Sequence, residues 1–202
     1  FNEDFFAVKV YNLAPEKKDR NLRRYYREIS VLTKVDHPNI IRILHFDQLD
    51  EFCYFVMPFY PDRSMMQTKP VFGFRQDVRL GSRPPLVNDT IGSCNPAMID
   101  DILKFTLYIL SALLGLKQNH VVHSDLKPSN ILLINGKIPI LTDFGHAKLL
   151  SYGNNELTAE GYGIGTLRYM APEQARGDWT ITSKADVYSA GAMLYEMLTK
   201  RL

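Results

Sequence analysis

The chain has 202 residues, of which 46% are hydrophobic and 23% charged, which is ordinary usage for one large domain or two tightly packed lobes. The formal net charge of +2 gives no support for nucleic acid or a membrane surface as a partner. Two cysteines, Cys53 and Cys94, stand far apart in no metal-ligand pattern. The sequence therefore predicts no disulfide framework and a reducing compartment, the cytoplasm, with the nucleus as an alternative.

Short strands around one helix are predicted for the first part of the chain. Residues 5–10 form an apolar run that holds one lysine, which indicates a strand. From Leu22 the apolar residues recur at helical spacing. The motif Asp-His-Pro-Asn at 36–39 is expected to end this helix, because proline disfavours helical geometry in the residue before it. Residues 40–46 and 52–57 are two further strand-like runs on either side of an acidic turn.

The stretch 67–95 differs from the rest of the chain in composition. It is rich in proline, glycine, serine and arginine, and its apolar residues follow no sustained period. Loops of this length inside compact domains are usually functional or disordered. The sequence therefore predicts a disordered insertion here.

A long helix, a hairpin and a closing helix are predicted for the second part. Asn95 and Pro96 are suited to begin a helix, since one supplies a capping side chain and the other fits the first turn. That helix, over about 97–117, contains charged residues, so it indicates a buried helix rather than a membrane span. The remaining elements are strands over 131–134 and 138–141, joined by an Asn-Gly turn, and a helix over about 183–199.

Two short motifs carry residues suited to phosphoryl transfer. The first, His-Ser-Asp-Leu-Lys-Pro-Ser-Asn, begins at His123, and the second, Asp-Phe-Gly, begins at Asp143. Phosphoryl transfer requires metal ions on the phosphates, cations on the charged oxygens and a carboxylate that orients the attacking hydroxyl. Asp125 is the candidate base and Lys127 the candidate phosphate-contacting cation. Asn130 and Asp143 supply hard oxygen ligands suited to Mg²⁺.

In this form and order the two motifs resemble the catalytic loop and the metal-binding triplet of the protein kinase superfamily. The resemblance implies an α+β, two-lobed protein-kinase-like fold. Residues 1–60 would be a partial small lobe and hinge, with a small β-sheet plus one helix, and residues 61–202 a partial, mainly helical large lobe. Both lobes are expected to be incomplete, because no glycine-rich loop precedes Lys9 and the family continues with more helices after Leu202. The 202-residue chain alone is therefore expected to be unstable or inactive.

The resemblance also implies an ATP site. Lys9 would contact the α- and β-phosphates, and Glu28, on the following helix, would be its ion-pair partner. The residues expected to enclose the adenine ring lie on the predicted strands, the hinge and the hairpin: Ala7, Met57 as the gatekeeper, Pro58 and Tyr60 through backbone groups, and Leu132.

The acceptor implied by the resemblance is a serine or threonine hydroxyl of a protein substrate. Lys127 and Pro128 after the candidate base resemble serine/threonine kinases, as does the segment from Thr166 to Glu173. In that family the threonine bridges the base and the lysine, so Thr166 is expected to contact Asp125 and Lys127. The sequence gives no prediction of the oligomeric state.

Ser124 stands where most members of the family have arginine. That arginine normally pairs with a phosphorylated residue of the activation loop through a charge-assisted contact, which serine cannot make. We therefore expect activity that depends only weakly on activation-loop phosphorylation, although Ser151, Thr158 and Tyr162 are available there.

Two alternatives to an active protein kinase remain. The first is a pseudokinase that binds nucleotide or a partner without catalysis, which the serine at position 124 suggests. It is disfavoured because the lysine, the base and both metal ligands are all present. The second is a phosphotransferase acting on small molecules. The segment before Glu173 argues against it, since in the resembling family this segment forms a platform for a peptide acceptor.

Overall fold

Three antiparallel strands and one helix form the first part of the fold. The computed structural model describes residues 5–61, 96–150, 166–178 and 181–199, so the predicted insertion at 67–95 lies outside the described residues. The sheet has the order β1-β3-β2, with β1 at Phe6–Asn12, β2 at His45–Gln48 and β3 at Phe52–Pro58. Helix α1, Lys18–Leu32, follows β1 and packs against the sheet.

The pleat of β1 decides which of its residues face α1. Side chains alternate along a strand, and Ala7, Lys9 and Tyr11 are the more buried set, while Val8 and Val10 are exposed. A small hydrophobic cluster fixes α1 on this face, and it consists of Tyr11, Leu13, Tyr25, Ile29, Cys53 and Phe55. The alternation therefore directs the single lysine of the strand towards the helix.

Two long helices build the second part around a larger core. Helix α2 runs from Pro96 to Gln118 and packs against α4, Ser183–Thr199. Phe105 and Ile109 of α2 and Met193 of α4 are fully buried in this core. Among the described residues, none of the helices has both the length and the apolarity needed to cross a membrane.

Short elements connect the two helices and place the predicted motifs. They are β4 at Val121–Val122, β5 at Ile131–Ile134, β6 at Ile138–Leu141, β7 at Lys148–Leu149 and α3 at Pro172–Ala175. β5 and β6 form the predicted hairpin, and β4 pairs with β7. Asn135 and Gly136 both have left-handed backbone, which these residue types adopt more readily than others.

The α+β class and the kinase-like arrangement of a small antiparallel sheet followed by helices are confirmed. The lobe boundary at residue 60 stays a prediction. Two element predictions were wrong in their bounds. α1 begins at Lys18 rather than Leu22, because its first turn is exposed to solvent and needs no apolar residue.

The run 40–46 was also predicted wrongly as one strand. The backbone from Asn39 to Ile41 pairs instead with Leu141 of β6: the Ile41 N–H donates to the Leu141 carbonyl at 2.9 Å, and the Leu141 N–H donates to the Asn39 carbonyl at 2.8 Å. The chain joins the first sheet from the Leu44 N–H, which donates to the Val56 carbonyl at 2.8 Å, and β2 itself runs to Gln48, inside the predicted turn. The contact with Leu141 links the two parts of the fold.

Candidate active site

Lys9 lies between two carboxylates. Its Nζ is 2.6 Å from Oε1 of Glu28 on α1 and 3.1 Å from Oδ1 of Asp143. The hydroxyl of Tyr11, on the same strand face, also donates to Oε1 of Glu28. Glu28 is buried, whereas the side chains of Lys9 and Asp143 are 30% and 44% exposed. The structure thus joins three predicted site residues, and it leaves two of them accessible to a ligand.

Charges in this group are set by burial and by the neighbouring ions. Burial alone would lower the pKa of Lys9, but the attraction of Glu28 and Asp143 outweighs it and raises that pKa. Burial alone would raise the pKa of Asp143, but Lys9 holds it at about 2. Burial raises the pKa of Glu28, against the opposing effect of Lys9. At neutral pH the site therefore presents an ammonium group beside an ionised aspartate.

The candidate base Asp125 is buried in the loop after β4. Its Oδ2 accepts hydrogen bonds from Lys127 Nζ at 2.8 Å and from Asn130 Nδ2 at 3.1 Å. Its Oδ1 is buried and has no hydrogen-bond partner among the described residues. A buried carboxylate oxygen without a donor is costly, and it keeps its full capacity to accept a hydroxyl proton. Three predicted residues thus meet, and the candidate base has one oxygen held by hydrogen bonds and one without a hydrogen-bond partner among the described residues.

Buried side chains hold the backbone of this loop. Asp186, in the first turn of α4, accepts from the backbone N–H of His123 at 2.8 Å and of Ser124 at 2.9 Å. The His123 ring packs against Phe144 with the ring centroids 4.7 Å apart, and its Nε2 lies 3.1 Å from the Thr142 carbonyl. His123 is thus a packed histidine that supports the loop.

The Asp-Phe-Gly turn is held from the core and from α1. Phe144 is fully buried, and Asp143 before it has a left-handed backbone with φ of 63°, which is strained for a residue with a Cβ. Arg27 of α1 donates to the Gly145 carbonyl at 2.9 Å. Non-glycine strain of this kind concentrates at functional sites, and here it orients the Asp143 carboxylate towards Lys9.

The predicted adenine-enclosing residues lie around the junction of the two clusters. Ala7 and Met57 are cross-strand partners in the first sheet, and Met57 packs against both hydrophobic clusters. Pro58 pairs with Phe6, while Tyr60 and Leu132 are half-buried against the larger core. Their contact with an adenine ring stays a prediction.

Parts of the acceptor platform lie outside the described residues. Thr166 opens a short 3₁₀ turn, Thr166–Arg168, but its side chain is outside the described part, so its expected contacts with Asp125 and Lys127 stay a prediction. Ser151, Thr158 and Tyr162 also lie outside the described residues.

The predicted metal ligands fit Mg²⁺ by their chemistry. Among the described residues, no group of three or more His, Cys, Asp or Glu side chains is arranged to hold a metal ion. Mg²⁺ does not need such a group, because it usually takes one or two carboxylates together with phosphates and water. Asp143 is ionised, and the amide nitrogen of Asn130 is turned to Asp125, so the Asn130 Oδ1, which accepts from Ser129 Oγ at 3.3 Å, is the atom of this residue that could act as an oxygen ligand.

Three contacts of the site were not predicted from the sequence. They are the bonds of Tyr11 to Glu28, of Arg27 to Gly145 and of Gln174 to the Ser124 carbonyl. Each joins residues far apart in the chain, and none belongs to a local period or motif from which it follows. A tyrosine two positions after a lysine on an inward strand face was the one available clue.

Comparison with known proteins agrees with this geometry. The family model described as "protein kinase domain" matches residues 2–202. The serine/threonine-protein kinase PrkC of Bacillus subtilis is 30% identical over 197 residues, which is 97% of this chain and 26% of PrkC. The probable serine/threonine-protein kinase PknB of Lactococcus lactis is 30% identical over 196 residues, 97% of this chain and 27% of that protein. PknB of Mycobacterium tuberculosis is 43% identical over 82 residues, 41% of this chain and 13% of that protein. The chain thus spans about a quarter of the length of the first two relatives.

Proposed function

The chain belongs to the protein kinase family, and from this premise we propose that it is an ATP-dependent serine/threonine-protein kinase. The observation that carries the proposal is the state of Asp125. Oδ2 of this residue is held by Lys127 and Asn130, while Oδ1 is buried and has no partner among the described residues. That is the arrangement expected of a general base before the acceptor hydroxyl group binds.

Each residue has a separate task in the proposed reaction. Lys9 binds the phosphate chain of ATP, and Glu28 keeps its ammonium group in place. Asp125 accepts the hydrogen bond of the acceptor hydroxyl and takes its proton. The new bond forms between that oxygen and the γ-phosphorus, the bond to the β–γ bridging oxygen breaks, and ADP leaves. Lys127, 2.8 Å from Asp125, neutralises charge on the transferred group.

Asn130 and Asp143 would hold Mg²⁺ in this proposal. The bound ion supplies neutralisation of the phosphate charge and fixes the orientation of the phosphates. The residues of the chain prepare for it, since Asp143 is anionic and more exposed than the other acids of the site. Both Lys9 and Asp143 are partly exposed at their 3.1 Å contact, so the carboxylate would be able to hold the ion while Lys9 contacts the phosphates.

The test is phosphate transfer by the full-length protein from γ-labelled ATP to dephosphorylated casein, with and without Mg²⁺, followed by phosphoamino-acid analysis. We expect labelled serine or threonine. Asp125→Asn should lower kcat by at least about 100-fold, the usual contribution of a positioned base, with ATP binding retained. Asp101→Asn, an exposed acid on α2, is the matched control and should leave kcat unchanged.

Two results would contradict the proposal. Labelled tyrosine alone would refute the acceptor class, since the serine/threonine assignment follows from the relatives' names and the motif around Lys127. Nucleotide binding with no transfer to any protein would favour the pseudokinase. The intact set of Lys9, Asp125, Asn130 and Asp143 speaks against that alternative.

For the cellular location we propose the cytoplasm, with the nucleus as the alternative. Support comes from cysteine usage: the sequence holds two cysteines, and Cys53 is a buried free thiol. Fractionation of cells expressing the tagged full-length protein tests this. Its recovery with secreted or surface proteins, together with oxidation of Cys53, would contradict it.

A further inference from the structure

A buried amide connects helix α3 with the catalytic loop. The side chain of Gln174 is buried, its Nε2 donates to the Ser124 carbonyl at 2.8 Å, and its Oε1 accepts from the Ala171 N–H at 3.1 Å. The orientation of the amide is fixed by chemistry, because the reverse one would place oxygen against a carbonyl and nitrogen against an N–H. One side chain thus connects the start of its own helix with a backbone carbonyl 50 residues before it in the chain.

The bridge reaches the peptide group immediately before the base. The carbonyl of this group belongs to Ser124 and bonds to Gln174, while its N–H belongs to Asp125 and donates to Nδ1 of His123 at 3.3 Å. The N–H of Ser124 is held by Asp186. Side chains therefore hold the peptide planes on both sides of Ser124, and Gln174 is the member of this set that lies on α3.

The side chain of Ser124 contributes nothing to this arrangement. Its Oγ is buried and has no hydrogen-bond partner among the described residues, and its backbone is left-handed with φ of 66°. A left-handed conformation is strained for a residue with a Cβ and persists only where surrounding contacts impose it. Loss of the bond to Gln174 would let the 124–125 peptide rotate and would turn the side chain of Asp125 with it.

We propose that Gln174 is a positioning residue for Asp125, which couples α3 to the catalytic loop by a neutral amide instead of a phosphate–arginine contact. The inference rests on the proposed function, because it concerns the same base. It goes beyond that function by assigning the coupling to a residue that touches neither nucleotide nor acceptor, and by making the coupling independent of phosphorylation.

Gln174→Glu is the sharpest perturbation. It preserves size and the acceptor for the Ala171 N–H, but it places a carboxylate oxygen against the Ser124 carbonyl. A displacement of about 1 Å at a catalytic group can cost about 100-fold in rate, so we expect kcat to fall by about 10- to 100-fold. The KM for ATP should change by less than about 2-fold, since the lost positioning acts on the transition state and Lys9 is untouched.

The variant also has a pH signature that a merely structural role would lack. Below the pKa of the introduced carboxyl group, its protonated form donates to the Ser124 carbonyl and restores the bridge. Burial beside a carbonyl raises that pKa above its ordinary value of about 4.3. The ratio of variant kcat to wild-type kcat should therefore rise as the pH falls.

The full-length protein is assayed before and after phosphatase treatment, with casein as substrate and thermal unfolding recorded beside each rate. Arg176→Gln, at an exposed position two residues further along the chain, is the matched control and should keep the wild-type kcat. If Gln174→Glu does not fold, Gln174→Met is tested in its place. This variant removes both hydrogen bonds without introducing a charge, and we expect the same loss of kcat.

Different results would contradict the positioning role of Gln174 and the proposed function. A wild-type kcat in a folded Gln174 variant, with only the melting temperature lowered, would overturn the positioning role and leave a helix cap. A loss that vanishes after phosphatase treatment would overturn its independence of phosphate. A wild-type protein that transfers no phosphate would instead refute the proposed function.

Discussion

Tyr11→Phe should destabilise the protein measurably although it removes a single oxygen atom. The Tyr11 hydroxyl donates to Oε1 of Glu28, the same oxygen that Lys9 contacts at 2.6 Å. The other carboxylate oxygen, Oε2, is buried without a partner among the described residues. The ring of Tyr11 packs edge-on against Tyr25 at 5.9 Å between centroids, and phenylalanine preserves that contact. The substitution thus isolates one hydrogen bond.

The magnitude follows from the charge of the acceptor. A hydrogen bond to a charged group contributes about 1.5–3 kcal/mol, against about 1 kcal/mol for a neutral pair. Burial, together with Glu28, raises the pKa of Tyr11, so the hydroxyl keeps its proton at neutral pH. With no cavity created, we expect a loss of about 2 kcal/mol in the free energy of unfolding. For a domain of this size that lowers the melting temperature by about 4–8 °C.

The assay is urea unfolding followed by circular dichroism, with thermal melts beside it. Tyr26→Phe is the matched control: its hydroxyl bonds to Gln48 Oε1 at 2.7 Å in an exposed pair, so its loss should change stability by less than about 0.5 kcal/mol. Equal midpoints for the two variants at unchanged m-value would refute the reasoning, because the Glu28 contact would then be worth no more than a surface bond.

Three further outcomes are expected. In Asp186→Asn, the side-chain amide can accept from only one of the two backbone N–H groups that Asp186 binds. We expect urea unfolding to show a loss of about 1–3 kcal/mol in the free energy of unfolding, together with a lower kcat. An unchanged kcat would contradict the role of Asp186 in holding the loop. In Asp143 the folded pKa of about 2 lies below the ordinary 3.8, so its ionised form stabilises the fold above pH 4, and this contribution disappears as the pH falls towards 2. The difference in unfolding free energy between wild type and Asp143→Asn should therefore shrink from about 1 kcal/mol as the pH falls from 4 to 2. This magnitude is reduced for solvent screening, because the side chain is half-exposed. A difference that stays constant with pH would contradict the prediction. The triple variant with alanine at Ser151, Thr158 and Tyr162 should retain most of the turnover in the casein assay. Loss of turnover would show that phosphorylation of the activation loop is required despite Ser124.

The sequence was informative where the contacts are local. The spacing of Asp125, Lys127 and Asn130 within one loop sufficed to predict that they meet, because their mutual distances are set by a few backbone torsions. The hairpin after Asn130 was predicted with its bounds, since strand period and turn residues agree. The long helix α2 was placed within a residue at each end for the same reason.

Contacts between distant segments were not predictable in the same way. The run after Asn39 has the composition of a strand, yet its backbone pairs with Leu141, a tertiary choice that no local pattern records. Gln174 and Ser124 are 50 residues apart, and the glutamine looks like an ordinary residue of a short helix. In both cases a backbone group finds its hydrogen-bond partner through the fold, after local preferences have already been satisfied.

The contrast between the two halves of the site indicates where its activity can be adjusted. Asp125 is buried, and its loop is fastened by Asp186, His123 and Gln174, none of which requires a phosphate. Lys9 and Asp143, by contrast, are partly exposed and bonded to each other, so in the proposed function phosphates and a metal ion would replace that contact. A rearrangement there acts on Glu28 and hence on α1. In the proposed function, activity can therefore be adjusted through the partly exposed contacts of Lys9 more readily than through the buried catalytic loop.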